Sequence, residues 1–115
     1  MNTNDIRVNL PASKSMSNRW LMINHMTGSH FRVNKLSTSN DTKLLRRLLQ
    51  QLEGGTSNLY YCDNAGSVAR FLMPLLAITP GHFILTGDAR LQQRPMGPII
   101  EALRQMGLRI ECTEN

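Results

Sequence analysis

Apolar residues recur along this chain with two periods, and the switches between those periods outline its elements. Ile6, Val8 and Leu10 alternate with Arg7 and Asn9, a period of two that predicts a short half-buried strand ended by Pro11. From Ser17 to Met26 the period lengthens. Trp20, Leu21, Ile23 and His25 or Met26 fall at helical spacing, and Gly28 offers the stop. Phe31, Val33 and Leu36 predict a second strand. Ser39-Asn40-Asp41 supplies N-cap chemistry ahead of Leu44, Leu45, Leu48, Leu49 and Leu52, an amphipathic helix. Glu53 to Asn58, with Gly54-Gly55, reads as a loop, and Leu59 to Cys62 as a third strand. Ser67 to Ile78 is apolar enough for a buried helix capped by Ser67, with Pro74 expected to kink it or end it near Met73. Pro80-Gly81 marks a turn and His82 to Thr86 a fourth strand. A last helix runs from Met96 to Met106 and stops at Gly107, and Leu108, Ile110 and Cys112 alternate as a final strand.

The predicted order, β-α-β-α-β-α-β-α-β, argues for an α/β (α+β layered) domain. A length of 115 residues fits one domain, and 41% hydrophobic against 18% charged residues allows a modest core. Seven methionines against six aromatic residues point to an aliphatic, adaptable interior. A net charge of +5 favours anionic partners, phosphorylated metabolites and nucleic acid alike. Cys62 and Cys112 are too few for a disulfide framework. Neither they nor His25, His30 and His82 have metal-ligand spacing, so the thiols read as buried or bystander groups and no metal or cofactor is called for. The chain has no secretory signal and no apolar run near the roughly 20 residues that span a bilayer, so a reducing cytoplasm is the expected compartment.

Three clusters of polar residues and glycine carry the candidate chemistry. They are Leu10-Pro11-Ala12-Ser13-Lys14-Ser15-Met16-Ser17-Asn18-Arg19, Asn64-Ala65-Gly66-Ser67-Val68-Ala69-Arg70, and the stretch from Thr86-Gly87-Asp88 to Arg94-Pro95-Met96-Gly97. Each sets cations, hydroxyls or bare amides where a helix begins. Helix N-termini leave N–H groups unpaired and carry partial positive charge, so they attract phosphates and carboxylates. Three such places imply one or two ligands with several negative charges.

Lys14-Ser15 lacks the preceding glycines with which a P-loop wraps nucleotide phosphates. Arg19, one turn into its helix, can return toward the N-terminus and join Ser13, Lys14 and Ser15 around one anion. Gly66 is either a turn residue or a place where a ligand approaches backbone amides. Arg70 reads as structural, pairing with an acid or a carbonyl. Arg94, stiffened by Pro95, is either a surface charge or a clamp for a carboxylate or phosphate. Asp88 reads as a turn-former ahead of an orienting partner for the arginines.

Taken in order, Leu10-Pro11-Ala12-Ser13-Lys14-Ser15-x-Ser17-Asn18-Arg19, Asn40-Asp41-Thr42, Asn64-Ala65-Gly66-Ser67 and Leu85-Thr86-Gly87-Asp88 followed by Arg94-Pro95-x-Gly97 resemble the enolpyruvyl transferase family. Within it they resemble the EPSP synthases, the 3-phosphoshikimate 1-carboxyvinyltransferases of the shikimate pathway of aromatic amino acid biosynthesis. The likeness runs over nearly the whole chain. It implies transfer of the enolpyruvyl group of phosphoenolpyruvate to the 5-hydroxyl of shikimate 3-phosphate, with release of phosphate. It also implies roles at matching positions. Lys14 would stand between the two substrates as the catalytic cation, and Ser15 and Arg19 would hold shikimate 3-phosphate. Asn64, Ala65, Gly66 and Arg94 would hold phosphoenolpyruvate. Preorganised cations and amides of this kind stabilise the charged tetrahedral species of such a transfer.

The UDP-N-acetylglucosamine enolpyruvyl transferases are a poorer match, because relatives of that kind have Lys-Asn in place of Lys14-Ser15 and a cysteine that the Arg90 to Arg94 stretch lacks. A different class, a basic RNA- or ribosome-binding βαβαββ module, is allowed by the charge, but such modules need stacking aromatics, and Trp20, Phe31, Tyr60, Tyr61, Phe71 and Phe83 mostly fall at core-like positions.

The chain departs from the family pattern in three respects. Its loop before Asn64 is short where many relatives have a hairpin, Asn40 stands where relatives often have Asp, and family members are several times longer. Members are built from two domains of βαβαββ units that close over the substrates. The resemblance therefore implies that residues 1–115 are an N-terminal portion whose catalytic acids and further cations come from a missing C-terminal domain. Residues 1–11 would be a strand that normally associates with that other domain, leaving residues 4–10 loose or paired with another copy. Without domain closure, weak binding and no turnover are expected.

Overall fold

The computed structural model describes residues 5–8, 10, 12–28 and 35–112. Helix α1 (Lys14–Thr27) begins where the Ser13 side chain accepts from the Met16 N–H at 3.2 Å, and it ends at Gly28 in the left-handed conformation. Helix α2 (Asn40–Gly54) is capped in the same way by Ser39 and closed by Gly55. Its leucine face, Leu44, Leu45, Leu48 and Leu49, is buried. Strand β1 (Leu59–Tyr61), helix α3 (Gly66–Ile78) and strand β2 (Ile84–Thr86) follow, then the short helix α4 (Ala89–Gln92) and helix α5 (Gly97–Gln105).

β1 and β2 pair in parallel, with Tyr60 opposite Leu85, so β1-α3-β2 is one crossover unit. Along β1 only Tyr60 turns inward, as a period of two requires. The core lies where the leucine face of α2 and the Val68, Ala69, Leu72, Leu75 and Leu76 face of α3 meet Tyr60 and Cys62. Tyr60 and Phe83 pack edge to face with centroids 5.9 Å apart. The chain is thus a mixed helix-and-strand fold, as the alternating pattern predicts.

Several expectations need correction. Ile6, Val8 and Leu10 enter no ladder and are exposed, Ile6 to 84%. The only sheet among the described residues has two strands, and neither lies alongside this segment. Leu108, Ile110 and Cys112 likewise form no strand. The Arg104 guanidinium donates to the Ile110 carbonyl at 3.1 and 2.7 Å, taking up an acceptor that a ladder would need. Phe31 and Val33 lie outside the described residues, and Leu36 is not in a strand.

Helix α3 starts one residue before Ser67, with Ala65 at the cap and no side-chain hydrogen bond there. It also runs through Pro74 to Ile78. The buried contacts of Leu72, Leu75 and Leu76 on either side of the proline outweigh the missing N–H. Trp20 and Tyr61 are exposed, not core residues. On α1 the buried positions are polar, Ser17 and Asn18, which turns the apolar stripe of Met16, Trp20 and Ile23 outward.

Candidate functional site

The crossover unit brings the second and third clusters together. Beyond β1 and β2 the pairing continues along the loops. Cys62 N–H donates to the Thr86 carbonyl and Asp88 N–H to the Asp63 carbonyl, each at 2.8 Å. The loop from 62 to 65 turns tightly, with Ala65 N–H bonded to the Cys62 carbonyl at 2.9 Å and Asp63 at a positive φ of 51°. Asp and Asn tolerate that region better than most residues. Asp88 then caps α4 by accepting from the Leu91 N–H at 3.0 Å. Its role is that of a turn and cap residue, the reading favoured from sequence. The α4 turn itself has no apolar period to announce it, being only four residues long.

Around the start of α3 these loops enclose an open cleft of about 290 Å³ lined by Lys14, Asp41, Asn64, Ala65, Gly66, Ser67, Arg70 and Arg94. It lies past the C-terminal ends of the two parallel strands, where α/β folds place their ligands. A Cβ built on buried Gly66 would lie 3.0 Å from Nη1 of Arg94 and 3.1 Å from Nη1 of Arg70, so two guanidinium groups converge on the first residue of α3. Arg70 is anchored there by donating to the Pro95 carbonyl at 3.4 Å, a structural partner of the type expected. With no side-chain cap, the α3 N-terminus adds its own partial positive charge to the two arginines.

Lys14, on the first turn of α1, also lines the cleft and is held by Asp41 at 3.2 Å. Three cations and one helix N-terminus thus line the cleft against one carboxylate, which is paired with Lys14. This arrangement retains a carboxylate- or phosphate-bearing ligand by charge-assisted hydrogen bonds.

Of the site residues expected from sequence, Lys14, Asn64, Ala65, Gly66 and Arg94 line this one cleft. Ser15 and Arg19 do not. Arg19 does return toward the helix start, where it donates to the Ser15 hydroxyl, and both residues are exposed outside the lining. Sequence reasoning missed Asp41 as a lining residue, although it sits in the quoted Asn40-Asp41-Thr42 motif. It also missed Arg70 and Ser67 as part of the cleft wall. For Arg70 the available signal is its spacing, four residues after Gly66 and therefore on the same side of the helix.

Cys62 does not belong to this chemistry. Its thiol is buried, and desolvation, with a smaller contribution from Asp63, pushes it up to about 12. Among the described residues no group of His, Cys, Asp and Glu has the arrangement of a metal site, and no helix is long and apolar enough to cross a membrane.

Comparison with known proteins points the same way. A family model described as EPSP synthase (3-phosphoshikimate 1-carboxyvinyltransferase) matches residues 51–115. A 3-phosphoshikimate 1-carboxyvinyltransferase of Bacteroides fragilis is 38% identical over 94% of this chain and 25% of its own length. The pentafunctional AROM polypeptides of Candida glabrata and Kluyveromyces lactis are 35% and 34% identical over 91% and 88% of the chain. The chain spans 8% of the length of these fungal proteins. No solved structure matches.

Proposed function

Since the chain belongs to the EPSP synthase family, we propose that it is the N-terminal portion of a cytoplasmic enzyme that transfers enolpyruvyl from phosphoenolpyruvate to shikimate 3-phosphate. The observation that carries this reading is the convergence of Lys14, Arg94 and the uncapped α3 N-terminus on one cleft. Phosphoenolpyruvate carries a carboxylate and a phosphate, and a cleft lined by cations from separate segments and by the start of α3 offers partners for both.

In the transfer, the 5-hydroxyl of shikimate 3-phosphate bonds to C2 of phosphoenolpyruvate while a proton is added at C3. The hydroxyl loses its proton in this addition; the C2–O bond to phosphate then breaks as a proton leaves C3, which restores the C2–C3 double bond and releases phosphate. Lys14, a lining residue of the cleft, supplies a positive charge to the oxygens exchanged at C2. Arg94 and the Asn64-Ala65-Gly66 amides hold the anionic groups of phosphoenolpyruvate in place. Ser15 and Arg19, already paired across the first two turns of α1, hold the phosphate of the second substrate. The groups that move protons belong to the part of the enzyme outside this sequence. The repeated βαβαββ organisation and the assignment of residues 1–11 to a strand of the other domain belong to the same proposal. The exposure of Ile6, Val8 and Leu10 supports the latter, because three alternating apolar side chains in water call for a cover.

An amide NMR titration of the chain with phosphoenolpyruvate and then shikimate 3-phosphate tests this reading. Saturable shifts at Lys14, Gly66 and Arg94, and then at Ser15 and Arg19, with no phosphate released, are the expected result. A folded chain whose spectrum responds to neither substrate at low salt would overturn it.

A further inference from the structure

Lys14, a cleft cation that the proposed transfer needs, has half of its side chain in solvent, and Asp41, a single 3.2 Å contact away, is its partner. An exposed ion pair between a flexible lysine and a carboxylate is weak and screened by salt, so it does little to fix a position. What fixes the backbone beneath Lys14 lies one turn further along α1. Asn18, four residues on and therefore under Lys14 on the same helix side, is 2% exposed. Its Oδ1 accepts from the Thr42 hydroxyl at 2.8 Å. Thr42, also 2% exposed, is the neighbour of Asp41 in the first turn of α2.

The two helix starts are therefore joined by two rungs, one charged and in water, the other neutral and buried. The buried rung extends into a wider set of bonds. The Thr42 and Ser39 hydroxyls lie 3.0 Å apart, the Ser39 N–H donates to the Ser37 hydroxyl at 3.1 Å, and the Ser37 N–H donates to the Ser17 hydroxyl at 2.8 Å. No buried side-chain polar atom among the described residues lacks a partner. A fully satisfied buried polar set admits one register between two elements, because any slip leaves groups without partners in a dry place.

We infer that Asn18 and Thr42 are positioning residues for Lys14, acting by locking the first turn of α1 to the first turn of α2. This inference rests on the proposed role of the cleft, and its test separates the two. The first readout needs no ligand: nuclear Overhauser contacts between the Lys14 side chain and Asp41. The second is the titration with phosphoenolpyruvate. Thr42→Val keeps the shape, removes the hydroxyl and leaves the Asn18 oxygen without its donor. It is expected to abolish the Lys14–Asp41 contacts and the Lys14 response while Gly66 and Arg94 still shift. Binding weakens about tenfold, the effect of one lost charge-assisted contact. Thr42→Ser keeps the hydroxyl and is expected to restore both readouts.

Should Thr42→Val fail to fold, the double variant Asn18→Leu/Thr42→Val removes both partners of the fully buried bond and leaves only the half-buried Ser39 hydroxyl to find water, and the same losses are expected of it. Lys14–Asp41 contacts that persist unchanged in whichever of these variants folds would overturn the inference. If the unsubstituted chain ignores phosphoenolpyruvate but the contacts vanish in Thr42→Val, the positioning stands and the functional reading falls.

Discussion

Gly66 and Arg94 are close enough that the glycine's missing side chain is part of the arginine's position: a Cβ there would lie 3.0 Å from Nη1 and 3.1 Å from Cδ of Arg94. Arg70 is equally near, so a methyl group at residue 66 displaces two guanidinium groups from the first turn of α3. Both are the far ends of flexible side chains and can swing away without unfolding anything. Gly66→Ala is therefore expected to change stability by less than about 1 kcal/mol and to weaken phosphoenolpyruvate binding about tenfold. Chemical denaturation and the NMR titration, run on the same variant, check the two halves of that expectation.

Gly87 presents the opposite case. A Cβ at this buried position would fall inside the van der Waals envelope of the Leu91 side chain and of the Asp63 carbonyl. That carbonyl also accepts the Asp88 N–H at 2.8 Å and cannot retreat without breaking the link between the two loops. Gly87→Ala is expected to cost about 2–4 kcal/mol, read as a lower denaturation midpoint in urea.

Alkaline pH should destabilise the fold through the core itself. The Cys62 thiol is raised from 9.0 to about 12, chiefly by burial, and the Tyr60 phenol is raised above 10.0 by burial against a smaller opposing hydrogen bond from Gln51. Below pH 9 the thiol is protonated in both folded and unfolded chains and contributes no pH dependence. Between about 9 and 12 the unfolded chain loses the proton first, so stability falls as pH rises, by about 1.4 kcal/mol per unit for one group. Urea titrations above and below pH 9 measure this, and Cys62→Ala is expected to flatten the slope. At pH 8 a thiol reagent is expected to modify exposed Cys112 and leave Cys62 untouched until the chain unfolds.

Pro74 interrupts the backbone bonding of α3 without ending the helix. Its ring supplies no N–H to the Arg70 carbonyl one turn earlier. Pro74→Ala restores that donor, and its expected effect is a gain of about 1–2 kcal/mol, the helix-interior penalty of proline less the entropy that proline removes from the unfolded chain. Calorimetry would show this as a higher melting temperature.

The elements that could be read from residue order are those whose signals are local. The leucine spacing of α2, the Ser13 and Ser39 caps, the Gly28 stop and the Tyr60 alternation each lie within one or two turns of chain. The segments Ile6 to Leu10 and Leu108 to Cys112 have the alternation of strands and form no ladder among the described residues, because a strand exists only where another segment supplies its hydrogen bonds. Pro74 misled in the other direction, because a local penalty was outweighed by burial along the whole helix.

By itself the sequence determined the mixed helix-and-strand character, the motifs that mark the family, and the residue types that meet anions. Only the tertiary structure decided which of those residues share a cleft. Lys14, Gly66 and Arg94 come from three separate segments: the parallel pairing of β1 and β2 brings Gly66 and Arg94 together, and the bonds between α1 and α2 add Lys14, while Ser15, next to Lys14 in the chain, pairs with Arg19. The same holds for Asn18 and Thr42, whose buried bond joins residues 24 positions apart. Residue order fixes what each side chain can do. Its surroundings depend on packing between distant segments, which no local pattern records.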